Sequence, residues 1–489
     1  MMLCYGGSQT IDGPGSYSPV ARQLLKDLAI DVNRFYDFYD QEYFSSRNLR
    51  EGIYFDKATF GADRLTLNPT GILLGEAGND AEMRAAVGEM PISEEDQAAF
   101  IRLLEGGVDY LEGMSLDSKR ALLRDISYLD FLKNYAGMPE SVREIMRDSF
   151  LQLTAVGWEA ESAMVAADWG FPGTYELGVK EKASRAEPYI HHFPDGNAGV
   201  ARSLVRDLVP GAIPGSTMED LVTARADYSR LDSEDAEVQI RLNSPVVDVR
   251  HTQDERFVDI TYVGHGTPLR ARARHVILAC YNNIIPYICS ELPEAQVDAI
   301  QYATKIPFVK ASIALNNWRA FEAAGYYDMY SPGNVYFKHL KLDFPVSMGD
   351  YHYPQGADEP MVVSAWFSPT VRGLPAKAQY RAGRARMLEM TFDDFEDDIV
   401  GHFDGMLGAH AFDTERDIAA ITLNRWPHGY AYEFEGMGVP PGYNRYNGPH
   451  IRGRAQIGRI SIANSDSEAY AYVDGAIDAA DRAVNEQLS

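Results

Sequence analysis

Residues 275–280 read His-Val-Ile-Leu-Ala-Cys, and this run limits the fold more than any other stretch. A strand that is apolar on both faces needs cover on both faces, which points to a buried strand of a parallel sheet. Parallel neighbours are joined by crossovers, usually helices. An α/β architecture of mixed α+β character follows. The chain closes with a related unit. Arg459 to Asn464, "RISIAN", reads as a short buried strand with Ile460 and Ile462 on one face. "NSDSEAY" is a polar turn, and the helix after it places Val473, Ala476, Ile477, Ala480 and Val484 at helical spacing. A strand that turns straight into a helix gathers free N–H groups and positive partial charge at one spot, which suits an anionic or electron-rich ligand. On these residues alone an ordinary packed helix is the simpler explanation of the pattern.

Composition narrows the functional classes. The chain has 489 residues, enough for two or three lobes around a sizeable core. Forty-five Lys and Arg against 71 Asp and Glu give a formal charge of −26. Such a surface repels nucleic acid and attracts cations, although plain solvation accounts for most acidic surfaces. No apolar run reaches membrane-spanning length. The opening "MMLCYGGSQTIDGPG" has neither a basic segment nor an apolar core, so the chain as written reads as cytoplasmic. An export signal upstream of it would make the protein periplasmic. Cys4, Cys280 and Cys289 show neither metal spacing nor a disulfide framework, and the latter two read as buried thiols.

The chain is helical in pattern first and strand-like later. Ser18-Pro19 caps a helix running toward Phe44. Between about residues 90 and 170, "ISEEDQAAFIRLLEGG", "SLDSKRALLRDISYLDFLKNYAG" and "PESVREIMRDSFLQLTAVGWEAESAMVAA" read as three helices of one lobe. "PDGNAGVARSLVRDLVPG" is a turn and a helix. Period-two patterns then appear in "VQIRLNSPVVDVRHT", "RFVDITYVG" and "TPLRARARHVILAC", followed by "PFVKASIALNNW" and "PMVVSAWFSP". A helix spans roughly Tyr380 to Phe403.

Familiar catalytic signatures are missing. There is no G-x-S-x-G elbow and no Walker motif. His191 and His192 are adjacent and face different ways on any regular element. "GPGSYS" from Gly13 to Ser18 lacks a preceding buried strand and reads as a turn into a helix.

Taken together, several segments resemble the FAD-dependent amine oxidase superfamily, and within it the spermidine dehydrogenase branch. "YGGSQTIDGPGSYSPVARQLLKDLAID" is similar to the Gly-Gly segment beside the flavin in that family. "YIHHFPDGNAGVARSLVRDLVP" resembles a stretch of the spermidine dehydrogenases. "SPVVDVRH" and "ARHVILACYNNIIPYI" resemble the strand near the adenosine and the next core strand, and "KIPFVKASIALNNW" the segment whose lysine holds a water near flavin N5. "LNRWPHGYAYE" resembles the aromatic wall of the substrate cavity, and the closing segment resembles the last flavin-binding motif.

The resemblance implies a Rossmann-like FAD/NAD(P)-binding flavin lobe interleaved with a substrate lobe of mixed sheet and helices. The expected division is residues 1–45, 195–290 and 450–489 for the flavin, 46–194 for a mainly helical lobe, and 291–449 for the substrate. It implies FAD held by Gly6, Gly7, Ser8, Gln9, Val247, Asn464, Ser465, Asp466, Tyr472 and Val473, with Asn464-Ser465 standing where the family often has Gly and an acid. Lys310, Trp426, His428 and Tyr430 would serve catalysis, and Glu159 and Glu161 would hold the far end of a polyamine. The expected reaction is hydride transfer from a cationic amine such as spermidine to flavin N5, with a separate electron acceptor; some relatives also carry haem. The family's first strand, Gly-rich turn and helix, which cradle the pyrophosphate, have no counterpart in the sequence. Two alternatives follow: a flavin-dependent desaturase of an apolar substrate, or a polyamine-binding remnant without catalysis. Oligomeric state is not legible.

Overall fold

The structure is a computed structural model that describes residues 1–70, 80–180, 187–333, 335–433, 437 and 442–489. Its twelve strands are β1 (Arg50–Phe55), β2 (Arg64–Leu67), β3 (Val246–His251), β4 (Val258–Gly264), β5 (Thr267–Ala273), β6 (Val276–Leu278), β7 (Ile306–Leu315), β8 (Tyr326–Tyr330), β9 (His339–Leu342), β10 (Met361–Phe367), β11 (Ile418–Tyr430) and β12 (Ile460–Ile462). They form three sheets. Seven strands in the order β11-β7-β10-β9-β8-β1-β2 make a mixed sheet, β3-β4-β5 make an antiparallel meander, and β12 pairs with β6 in parallel.

The large sheet has one dry face. Along β7, Val309, Ala311, Ile313 and Leu315 enter a core with Phe337, Leu340, Val363 and Phe395. Phe395 comes from the helix Phe392–Leu407, which opens on a capping box between Thr391 and Asp394. Strand periodicity sends Phe308, Lys310 and Ser312 to the other face, in register with Trp426, Asn424 and Thr422 of β11. That second face carries the candidate site.

A second core gathers the helices of residues 80–169 around Phe100, Leu103, Phe131, Val142, Ile145 and Trp158. Ser93, Ser115, Ser127 and Ser162 each cap a helix by accepting a backbone N–H. Two of the long helices expected here are broken. The second segment splits into Leu116–Asp125 and Tyr128–Asn134, because Ser127 caps a new helix in mid-pattern. The third splits into Glu140–Arg147, Leu151–Thr154 and Ala163–Trp169 around the turn at Gly157. The segment 46–194 also supplies β1 and β2 to the large sheet.

The parallel strand at 275–280 exists but is shorter and less covered than its composition suggests. "TPLRARARHVILAC" divides between β5 and β6, in different sheets, and the strand expected from residue 238 begins only at Val246. Ile277 is 39% exposed because β6 has a strand neighbour on one side only. Cys280 is half-buried and Cys289 buried. The closing helix, Val473–Leu488, buries Asp474, Gly475, Ala479 and Ala483, whereas Ala476, Ala480 and Val484 of the expected stripe face outward. Small residues at four-residue spacing let this helix lie close to the β6–β12 pair. No helix among the described residues is long and apolar enough to cross a membrane.

Candidate active site

The site is built on the outer part of β7 and β11, and the segment Tyr5–Gln9 lies across it. Glycine is required there by close approach. A Cβ on Gly6 would stand 3.0 Å from the Asn424 side chain, and one on Gly7 would stand 3.2 Å from the Trp426 indole. The Trp426 Nε1–H donates to the Gly6 carbonyl at 2.7 Å. The far side of this segment is gripped by residues 189–197. Asn197 donates to Ser8 Oγ at 2.7 Å and to the Thr10 carbonyl at 2.8 Å, and His192 lies between the Gln9 and Tyr189 carbonyls at 3.1 Å each. Gln9 donates to the Tyr189 hydroxyl at 2.6 Å. Burial drives His192 down to about 3, so its imidazole is neutral at ordinary pH. His191 packs edge-on against Phe35 instead.

Lys310 lies beneath this segment and is fully buried. Its ammonium donates to the Ala311 carbonyl at 2.9 Å, Ser364 Oγ at 3.0 Å and Ser312 Oγ at 3.1 Å. It also lies over the rings of Tyr5 (4.5 Å) and Trp366 (5.3 Å). All three protons therefore have protein acceptors, so holding a water would require Lys310 to exchange one of them. Burial lowers its pKa to about 8, and the Asp343 carboxylate opposes that fall. The same burial lifts Asp343 to about 6.

At the other end of β11, the turn 464–468 joins β12 to the closing helix. Asn464 Oδ1 accepts the N–H groups of Asp466 (2.8 Å) and Ser467 (3.3 Å), and its amide donates to the Cys280 carbonyl. The Asp466 side chain points inward. One of its oxygens takes the Lys305 ammonium and the other the Asn282 N–H at 3.1 Å, all buried. An ion pair this dry is held by its internal partners. Asn464 and Ser465 remain half-buried at the turn's surface. The closing helix has Tyr472 as N-cap, with no side-chain cap hydrogen bond. Asp474 in its first turn pairs with Arg445 at 3.1 Å, and Arg445 also lies over the Tyr470 ring. The helix therefore presents backbone N–H groups rather than a cap at its start.

Between these ends stands an aromatic strip. Pro427 falls where the β11 register shifts between Trp426 and Tyr430, at an irregular strand end. Tyr430 stacks on Phe308 at 5.0 Å, and burial pushes its pKa up to about 12. His428 packs on Tyr281 at 5.3 Å, with its pKa lowered by burial and by the nearby charges of Arg384 and Lys305. The loop Ala155–Ala160 closes against Tyr380, Tyr430 and Tyr432. Glu159 lies in this loop and Glu161 directly after it. Glu159 accepts from Gln379 Nε2 at 3.3 Å, and burial raises its pKa. Glu161 is 1% exposed and accepts the Ser162 N–H at 2.8 Å.

A family model of the flavin-containing amine oxidoreductases matches residues 7–487. The chain belongs to the flavin-containing amine oxidoreductase family. Solved structures agree in fold. A wild-type putrescine oxidase bound to putrescine superposes with a TM-score of 0.52 at 16% identity, covering 99% of this chain and 87% of that one. Cyclohexylamine oxidase from Brevibacterium oxydans gives 0.51 at 13% identity, covering 99% and 88%. No curated protein sequence matches significantly.

In this amine oxidoreductase the closing helix, whose start has no side-chain cap hydrogen bond, fits the ring end of a flavin. Gly13–Ser18 does not fit a phosphate, because the Gly15 N–H is taken by the Glu187 carboxylate at 2.9 Å. Val247, expected near adenosine, is 47% exposed at the start of the meander. Sequence reading missed Tyr5, Asn424, Ser364 and Lys305. Of these only Lys305 had a visible signal, a second lysine opening the apolar strand "KIPFVKAS".

Proposed function

We propose that this amine oxidoreductase uses FAD to oxidise a polyamine such as spermidine. The observation that carries the reading is one cluster of contacts. Tyr5 of the Gly-Gly segment and Trp366 of the large sheet lie 6.4 Å apart between ring centroids, and Ile477 of the closing helix packs against the same hydrophobic cluster. The three pieces that would bound a flavin ring thus border one hydrophobic cluster. FAD, when bound there, would accept a hydride equivalent from the carbon beside the amine nitrogen. The protein's part is to bind, orient and keep the site dry. Trp426 and Tyr430 would wall the carbon chain, and their neighbours Phe308 and Tyr432 would exclude water. His428, held neutral by its surroundings, would take a proton from the incoming ammonium. Glu159 and Glu161 would draw the far end of a polyamine toward the strip. Lys310 would act from behind Tyr5, fixing the position of the Gly-Gly segment and exchanging a serine contact for a water.

Among the described residues no strand, Gly-rich turn and helix follow one another as a phosphate cradle. The open side of the β6–β12 pair, with exposed Ile277, Tyr281 and Ile284 around it, suits such a unit. Trp426→Phe tests the substrate wall, since it keeps a ring and loses the bond to Gly6. The expected result is flavin reduction by spermidine slowed about tenfold or less, with Trp426→Ala slower still. Unchanged reduction by both variants would remove Trp426 from the site.

A further inference from the structure

Asp343 directly follows β9 at one end of the large sheet, where its N–H donates to the Val362 carbonyl of β10 at 2.9 Å. It is only 8% exposed, and a carboxylate so buried is costly unless a cation or several donors meet it. Asp343 Oδ1 accepts the Phe344 N–H at 2.9 Å. Asp343 Oδ2 has no hydrogen-bond partner and yet is not sealed off. Neither oxygen joins an ion pair among the described residues; Lys310 and Lys341 act on the carboxylate only through space. The residue is held firmly, since the Tyr353 hydroxyl donates to its backbone carbonyl at 2.6 Å.

A cavity is the second observation. Asp343, Tyr351, Tyr353, Met361 and the exposed Glu359 line a space of about 160 Å³. A cavity of about 150 Å³ admits a ring of six carbons, so a ligand of about six non-hydrogen atoms fits. The lining combines a buried carboxylate, aromatic and thioether walls, and a second carboxylate. A hard divalent ion needs six or more oxygens, and among the described residues no group of three His, Cys, Asp or Glu could hold a metal. A protonated amine on a short apolar stem suits the lining better, because its N–H groups meet the carboxylate and its carbons meet the walls. The cavity is remote from the aromatic strip. Val362 pairs with Ala314 of β7, whereas the strip begins at Phe308, about 20 Å back along that strand.

We propose that this cavity is a second amine site, separate from the aromatic strip, which seats a small primary alkylammonium by an N–H bond to Asp343 Oδ2. The probe is tert-butylammonium. It has no hydrogen on the carbon beside nitrogen and cannot be oxidised, so its binding is read whether or not the amine-oxidising reading holds. Calorimetry at pH 8 measures its affinity for the purified full chain and for Asp343→Asn, with circular dichroism as the check on folding. Asp343→Asn keeps the shape of the side chain and removes its charge. It is expected to weaken binding about tenfold or more, the scale of one charge-assisted hydrogen bond. tert-Butanol, which has the same shape without the charge, is expected to bind the wild type weakly or not at all. Absence of tert-butylammonium binding to the wild type overturns the proposal. So does binding that Asp343→Asn leaves unchanged, which would place the probe elsewhere. tert-Butanol bound as tightly as the ammonium overturns it without recourse to any variant.

Discussion

Individual residues carry the sharpest consequences. Lys310 has a folded-state pKa near 8 against an ordinary 10.5, because burial disfavours its charge. Between those values the unfolded chain binds the extra proton, so stability rises with pH across that window. The account expects a rise on the order of 3 kcal/mol in urea unfolding between pH 8 and 10.5, absent in Lys310→Met. Lys305 is the opposite case, a buried charge whose partner is another buried charge. Lys305→Met would leave Asp466 with only the Asn282 N–H, at a cost of about 3–5 kcal/mol, and Asp466→Asn in the same chain would recover most of it. Urea titrations of the two variants decide this. Gly7→Ala would drive a Cβ against the Trp426 ring. It should destabilise the segment by about 1–3 kcal/mol and lower retention of FAD on desalting; full retention would mean that the Gly-Gly surface does not face the cofactor.

Elements were legible in the sequence where local signals and burial agreed. The Ser93 and Ser18 caps, β7 and β10 all lie where their patterns put them, whereas the helix expected to run toward Phe44 ends at Asp27. Reading failed where the covering partner was not evident from the pattern itself. The closing helix was expected to bury its larger apolar residues, yet its packed face is Gly475, Ala479 and Ala483, since close approach to β12 selects for small side chains. The segment "WPHGY", which resembles a cavity wall, gave no sign of its backbone, and it is the irregular end of a thirteen-residue strand. The candidate site was readable as segments but not as contacts. Gly6-Gly7 and Trp426 were each singled out, whereas their mutual hydrogen bond joins residues 420 apart. At this scale the exposed edge of β6 predicts a binding event. A separately expressed strand–Gly-rich turn–helix unit should protect the amides of residues 276–278 from hydrogen exchange, and unchanged exchange would show that this edge is not where such a unit adds.

At the scale of the whole molecule, the two largest cores among the described residues are joined by a third cluster around Tyr5. The large sheet buries one face in its own core and offers the other to Tyr5–Gln9, while the closing helix joins the same cluster through Ile477. The net charge of −26 gives this assembly a field that draws in cations, so association of a polyamine should weaken as salt rises. The measurement that bears most directly on the central claim is the visible absorption spectrum of the chain after incubation with FAD, desalting and anaerobic addition of spermidine. The account predicts a retained flavin band that bleaches with spermidine. A retained band that spermidine leaves untouched, or no band even with the strand–Gly-rich turn–helix unit supplied, would contradict it.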